Sequence, residues 1–299
     1  MLIAVLRILY RIVHPLFLLN GVLLYLLGIG MAGSNNGIIN WDLVLLGQLW
    51  LLALQLGGAF LNNYFYRPTG ISAEEGSSDR ISRPASLLIA YTFLAMVASL
   101  SVLIIRVVDD PAVFILMFAM VCGVLSYPTP PIRLVNSGYG ELALSLLVAN
   151  FTPALGFRLQ GGDPLRVLAM VTFPLTALHL AMLLVFSLST YAADMKLGYR
   201  TMMLRMGWQN GMLLHNILIL ITYLLLMLAI TLGLPWQVGI PALFTLPIGL
   251  LQIWTINRIA AGYKPQWKSL KVMAMALFGI TAYLLTFSFW IRYMDITFR

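Results

Sequence analysis

Apolar runs long enough to cross a bilayer follow one another along almost the whole chain, and the charged residues collect in the short loops between them. A helix needs roughly 20 apolar residues to span the hydrocarbon core. Nine stretches approach that length: 15–33, 42–62, 86–106, 111–127, 139–158, 166–190, 212–232, 237–256 and 270–291. At 61% hydrophobic and 9% charged residues, with a mean hydropathy of +0.93, the chain lies outside the range of soluble domains. Strand-like alternation is absent, and lipid leaves no backbone polar group unpaired, so these runs are expected to be helices. The expected fold class is all-α, a polytopic membrane protein.

Ahead of the first span, Leu2, Ile3, Val5, Leu6 and Leu9 alternate with Arg7 and Arg11, which suits a short interfacial helix over 1–13. The remaining residues, 14–299, form the helix bundle. No linker divides the chain, so a single membrane domain over 1–299 is expected. The basic residues set its orientation. Placing the N-terminus and every second loop on one side gathers 13 of the 18 there: Arg7, Arg11, Arg67, Arg80, Arg83, Arg133, Lys196, Arg200, Arg205, Arg258, Lys264, Lys268 and Lys271. That side is expected to be cytoplasmic, with the C-terminus outside.

The net charge of +8 thus faces the inner leaflet, where it attracts anionic headgroups or an anionic substrate rather than nucleic acid. Cys122 stands alone within a span and reads as a packing residue. His14, His179 and His215 lack metal-ligand spacing, and no phosphate-loop or dinucleotide glycine pattern occurs.

Chemistry concentrates in two cytoplasmic loops, about 62–85 and 190–207. The ten acids of the chain are few enough for their placement to matter. Glu74, Glu75 and Asp79 share the first loop with Arg67, Arg80 and Arg83, and Asp194 opens the second beside Lys196, Arg200 and Arg205. Carboxylates hold a hard cation while guanidinium groups grip phosphate oxygens, so this mixture suits a metal-bound diphosphate. Each base is read equally well as an ordinary positive-inside charge. Tyr64, Phe65, Tyr66 and Tyr127 offer aromatic faces to a cation, or anchor the interface as tyrosines commonly do. Asn20, Gln55, Asn150 and His179 lie inside spans, either toward an acceptor or in interhelical hydrogen bonds.

Four segments, taken together, resemble the UbiA-type superfamily of intramembrane prenyltransferases. Asn62-Asn63-Tyr64-Phe65-Tyr66 with Gly70, Glu74 and Glu75, then Ser82-Arg83-Pro84, is similar to the first aspartate-rich motif and the Arg-Pro after it. Tyr127-Pro128-Thr129-Pro130-Pro131-Ile132-Arg133-Leu134 through Gly138-Tyr139-Gly140-Glu141-Leu142 resembles the 4–5 loop. Asp194-Met195-Lys196-Leu197-Gly198-Tyr199-Arg200-Thr201, with Leu204-Arg205-Met206-Gly207, resembles the second motif. Arg11 with Pro15 is similar to the approach to the first helix. The Gly70 and Glu74-Glu75 spacing leans toward the menaquinone-pathway branch.

The resemblance implies nine helices around a central lipid-accessible cavity, and transfer of an isoprenoid chain from a polyprenyl diphosphate to an aromatic or lipid-pathway acceptor. It carries catalytic positions onto Asp194, Asn63 and Tyr66. Diphosphate binding falls to Asn62, Arg67, Arg83, Arg133, Lys196 and Arg200. The departures bear on magnesium: two aspartates of the first motif are replaced by Asn63 and Tyr66, and one of the second by Thr190. Asp194 remains, with Glu74, Glu75 and Asp79 as substitute ligands, and neutral replacements imply a weakened magnesium site. A degenerate relative that binds isoprenoid lipid or diphosphate without turnover is the alternative; a transporter would need midplane ionisable residues that the chain lacks.

Overall fold

Wherever the expected apolar runs can be followed, a helix covers them. A computed structural model describes residues 15–65, 82–163 and 165–297. The interfacial helix expected over 1–13, and Tyr66, Arg67, Gly70, Glu74, Glu75 and Asp79, lie outside the described residues.

The helices are α1 (Pro15–Asn36), α2 (Trp41–Phe65), α3 (Arg83–Val107), α4 (Pro111–Ser126), α5 (Gly140–Leu159), α6 (Leu165–Lys196), α7 (Met202–Met206), α8 (Trp208–Thr231), α9 (Trp236–Leu243), α10 (Leu246–Ala260) and α11 (Trp267–Thr297). Among the described residues no strand occurs. Eight segments are long and apolar enough to cross a membrane, α9 and α10 together forming one of them. The span expected at 111–127 is a shorter apolar helix, α4, of 16 residues.

Local chemistry sets the helix starts. Ser82 caps α3 by accepting from the Ala85 amide at 3.4 Å, with Pro84 in the first turn where no N–H is missed. Asp110 caps α4 through the Ala112 amide at 2.9 Å, ahead of Pro111. The same carboxylate takes Arg158 Nε at 3.0 Å and Nη2 at 2.7 Å, which ties the start of α4 to the end of α5.

Two interruptions keep their backbone groups satisfied, as a lipid environment demands. Within α5, Leu147–Phe151 widens to a π turn ahead of Pro153, and Thr152 Oγ1 donates to the Leu147 carbonyl at 3.1 Å. Between α9 and α10, Thr245 Oγ1 donates to the Ala242 carbonyl at 2.7 Å and meets Tyr223 Oη and Thr281 Oγ1, each at 2.9 Å. Pro174 sits inside α6, where its carbonyl accepts from Thr222 Oγ1 of α8 at 3.3 Å.

The core forms where small residues let helices touch. A Cβ on Gly28 of α1 would stand 2.0 Å from the Pro153 carbonyl oxygen of α5, and one on Gly156 would stand 2.5 Å from the Tyr25 carbonyl oxygen. Contact this close is available only to glycine on both helices. Around that crossing α2 packs on α3, α6 on α8, and α11 on α1. The helix ends that carry the 4–5 loop and the C-terminal turn of α6 come together at one end of the bundle.

Candidate functional site

The loop between α4 and α5 builds the site by folding back on itself. Val135 N donates to the Tyr127 carbonyl and Arg133 N to the Thr129 carbonyl, both at 3.0 Å. Arg133 takes a left-handed backbone, φ 44, an unusual conformation for a residue with a Cβ. That twist carries its side chain toward α2, where Nη2 donates to the Phe65 carbonyl at 3.4 Å. Arg133 Nε is buried with no hydrogen-bond partner among the described residues.

A second set of contacts joins this loop to the one after α6. Asn136 Oδ1 accepts from the Arg200 amide, and the Arg205 guanidinium stacks over the Tyr139 ring at 4.3 Å. Buried Glu141, in the first turn of α5, accepts from Ser187 Oγ at 2.8 Å and takes the Met202 amide at 3.2 and 3.1 Å on its two oxygens. Thr201 then caps α7 through the Leu204 amide at 3.2 Å. An acid at a helix start is favoured by the helix dipole, and here it also fixes the start of the next short helix.

Beneath these contacts lies a cavity of about 240 Å³ lined by Arg133, Glu141, Thr190, Asp194 and Tyr127, with Leu144, Leu183 and Phe186 among its apolar walls. Asp194 is buried and accepts from Thr190 Oγ1 at 2.6 Å, one helical turn back. The hydroxyl thus occupies, in the resemblance, the place of an acid and braces the one that remains.

Of the residues singled out in the sequence, Arg133 and Asp194 meet in this lining. Asn63 does not join them there: its Nδ2 donates to Ser86 Oγ at 3.1 Å, and that hydroxyl donates to the Phe60 carbonyl at 3.0 Å, so Asn63 serves the seam between α2 and α3. Asn62 Oδ1 is buried with no partner among the described residues. Arg83, Lys196 and Arg200 are exposed and stand outside the lining. Sequence reasoning quoted Glu141 within the 4–5 loop but assigned it no role. The signal was its position, an acid beginning a span, where charge is otherwise excluded.

The intramembrane polar residues divide. Asn150 Nδ2 donates to Thr172 Oγ1 and His179 Nδ1 meets Ser145 Oγ, both at 3.0 Å, as interhelical hydrogen bonds. Asn20 Nδ2, Gln55 Oε1 and His179 Nε2 are buried without partners among the described residues.

A family model described as the UbiA prenyltransferase family matches residues 22–278. The chain belongs to that family. No curated protein sequence matches it. Among solved structures, a UbiA homologue from Archaeoglobus fulgidus bound to GPP and Mg2+ superposes with a TM-score of 0.68 at 16% identity, over 92% of this chain and 98% of that one. A structure described for digeranylgeranylglyceryl phosphate synthase in membranes gives 0.67 at 12% identity, over 97% and 99%. An apo UbiA homologue from Aeropyrum pernix K1 gives 0.64 at 12% identity, over 87% and 94%. At these identities the likeness establishes the UbiA fold.

The donor set of this UbiA chain bears on magnesium. Asp194 and Glu141 are the two carboxylates in the described lining, and both oxygens of Glu141 already accept hydrogen bonds. Among the described residues no three acids, histidines or cysteines stand close enough to hold a metal ion. A hard cation wants several oxygen ligands, so the described residues alone do not make its site, and any further acid would come from the segment holding Glu74, Glu75 and Asp79.

Proposed function

We propose that this UbiA-family protein transfers an isoprenoid chain from a polyprenyl diphosphate to an aromatic or lipid-pathway acceptor within the membrane. One observation carries the reading: Arg133 of the 4–5 loop and Asp194 of the last turn of α6 line the same cavity over walls of leucine and phenylalanine. A diphosphate belongs at the polar end, where Arg133 offers a buried Nε–H without a protein partner among the described residues. The isoprenoid tail belongs between the helices.

The chemistry follows from where charge develops. Ionising the allylic C–O bond leaves negative charge on the departing diphosphate, and a fixed guanidinium in a site of low dielectric stabilises that charge. Apolar walls keep water from the allylic cation, and the Tyr127 ring in the lining offers it a negative face. Asp194, held by Thr190, and Arg133 thereby act on the reacting groups. Asn62, Arg67, Arg83, Lys196 and Arg200 are assigned to the diphosphate side, and Asn63 and Tyr66 to the place of the replaced acids. Asp194 with Glu74, Glu75 and Asp79 is the donor set assigned to magnesium. The reading extends to the menaquinone-pathway branch of the family, to one membrane domain, and to motif loops and N-terminus on the cytoplasmic side with the C-terminus outside.

The small acid count in the described lining favours a second reading, a relative that binds isoprenoid diphosphate without turnover. One experiment separates them: diphosphate release from labelled geranylgeranyl diphosphate by reconstituted protein, with and without magnesium and with a panel of acceptors. Release that falls about 10²-fold in Asp194→Ala supports the transferase. Tight binding with no release in any condition overturns it.

A further inference from the structure

At the end of the bundle away from the motif loops, a groove of about 570 Å³ runs between α9 and α11. Its walls change character along α11: Leu284, Phe287 and Ile291 come first, then Arg292 and Asp295, faced across the groove by Gln237 of α9. These positions recur at the three- and four-residue spacing that keeps them on one helix face. Along α11, Lys271 and Arg292 stand about 31 Å apart at a rise of about 1.5 Å per residue. The hydrocarbon core is ~30 Å thick, so with Lys271 at one membrane surface Arg292 reaches the other. Trp236, exposed at the start of α9 beside Gln237, marks the same level, where tryptophan collects.

The charges at the polar end are not spent on each other. Among the described residues Arg158–Asp110 is the single ion pair, so Arg292 and Asp295, three residues apart on one face, are unpaired within salt-bridge distance. A cation and an anion side by side at headgroup depth, above an apolar trough, are complementary to a zwitterion with two tails. Side chains three apart on a helix share a face with Cβ atoms about 5–6 Å apart, so both charges can meet one headgroup.

We propose that this groove binds one phospholipid with a primary-amine headgroup. Arg292 takes the phosphate, donating from its guanidinium, and Asp295 accepts from the ammonium N–H groups. The acyl chains lie along Phe287 and Ile291. A quaternary ammonium has no N–H to give Asp295, and an anionic glycerol headgroup meets Asp295 as a like charge. The order of preference is therefore ethanolamine headgroup over choline and over glycerol.

Native mass spectrometry of the full chain, exchanged into vesicles holding equal parts of the ethanolamine, choline and glycerol phospholipids, tests this. The expected result is one retained ethanolamine lipid. Asp295→Asn should erase the preference for ethanolamine over choline, a change of about two- to fivefold, the weight of an exposed ion pair. Arg292→Gln should lower retention of all three lipids. Ile291→Trp, which fills the trough from a position already 39% exposed, should lower retention without touching either charge. Equal retention of the three headgroups by the unaltered protein overturns the proposal, as does a preference that survives Asp295→Asn or a retention that Ile291→Trp leaves unchanged.

Discussion

Arg133 holds its left-handed backbone where glycine would be unstrained, so its side chain must give more than the conformation costs. Two substitutions separate those terms. Arg133→Gly relieves the backbone and removes the guanidinium, and is expected to lower diphosphate release about 10²-fold while leaving thermal stability equal or higher. Arg133→Lys keeps a charge but not the planar fork, and should recover only part of the rate. Steady-state release beside a melting curve reads both. Asn63 invites the opposite test. Its amide donates to Ser86, and in Asn63→Asp that hydroxyl must turn from the Phe60 carbonyl to the new carboxylate. Asn63→Asp with Tyr66→Asp is expected to raise magnesium affinity or turnover, measured as a lower half-saturating magnesium concentration or a faster rate. Unfolding of that double variant would mean that the motif is misaligned. Asp194 and Arg133 were legible as single letters because charge is scarce in this chain. Thr190 was legible only as a missing acid; that its hydroxyl braces Asp194 depends on rotamers that spacing does not encode.

The membrane spans among the described residues were legible to within a turn or two, since hydrophobic length is what lipid selects. The unexpected features are interruptions. A run such as 237–256 reads as one span, yet Pro241 and Pro247 bracket a break at Phe244–Thr245 whose cost is met by Thr245 itself with Tyr223 of α8 and Thr281 of α11. Hydropathy does not register a partner donated from another helix. The π turn at Leu147–Phe151 is hidden for the same reason, although Pro153 hinted at an irregularity there. The crossing of α1 and α5 carries a firm expectation. Gly28→Val would drive a side chain into the Pro153 carbonyl, and overpacking of this kind costs about 3 kcal/mol or more where backbone must move. The variant should lose its melting transition in detergent at temperatures where Gly161→Ala, whose site is open but at positive φ, keeps most of its own.

At the scale of the molecule, the assigned orientation is open to direct labelling. Cys122 is the chain's single cysteine, so Cys122→Ala gives a background without thiols. In right-side-out vesicles, a cysteine at Lys264 should escape an impermeant maleimide and one at Asp163 should react; the reverse pattern inverts the topology. The wider architecture also joins the 4–5 loop and the loop beyond α6, which were separately visible in the sequence. Their joint is Glu141, quoted in the 4–5 segment without a role, whose two oxygens reach Ser187 and Met202. Glu141→Gln should leave the helices intact but speed amide exchange at 199–205, since a charge-assisted hydrogen bond is worth about 2 kcal/mol. The roof over the cavity is therefore a joint between two loops. Asn136, Tyr139 and Glu141 fasten the 4–5 loop to the loop beyond α6, and Arg133 reaches α2 through its 3.4 Å link to Phe65. A substitution in either loop is therefore felt in the other, since the two share one set of anchors.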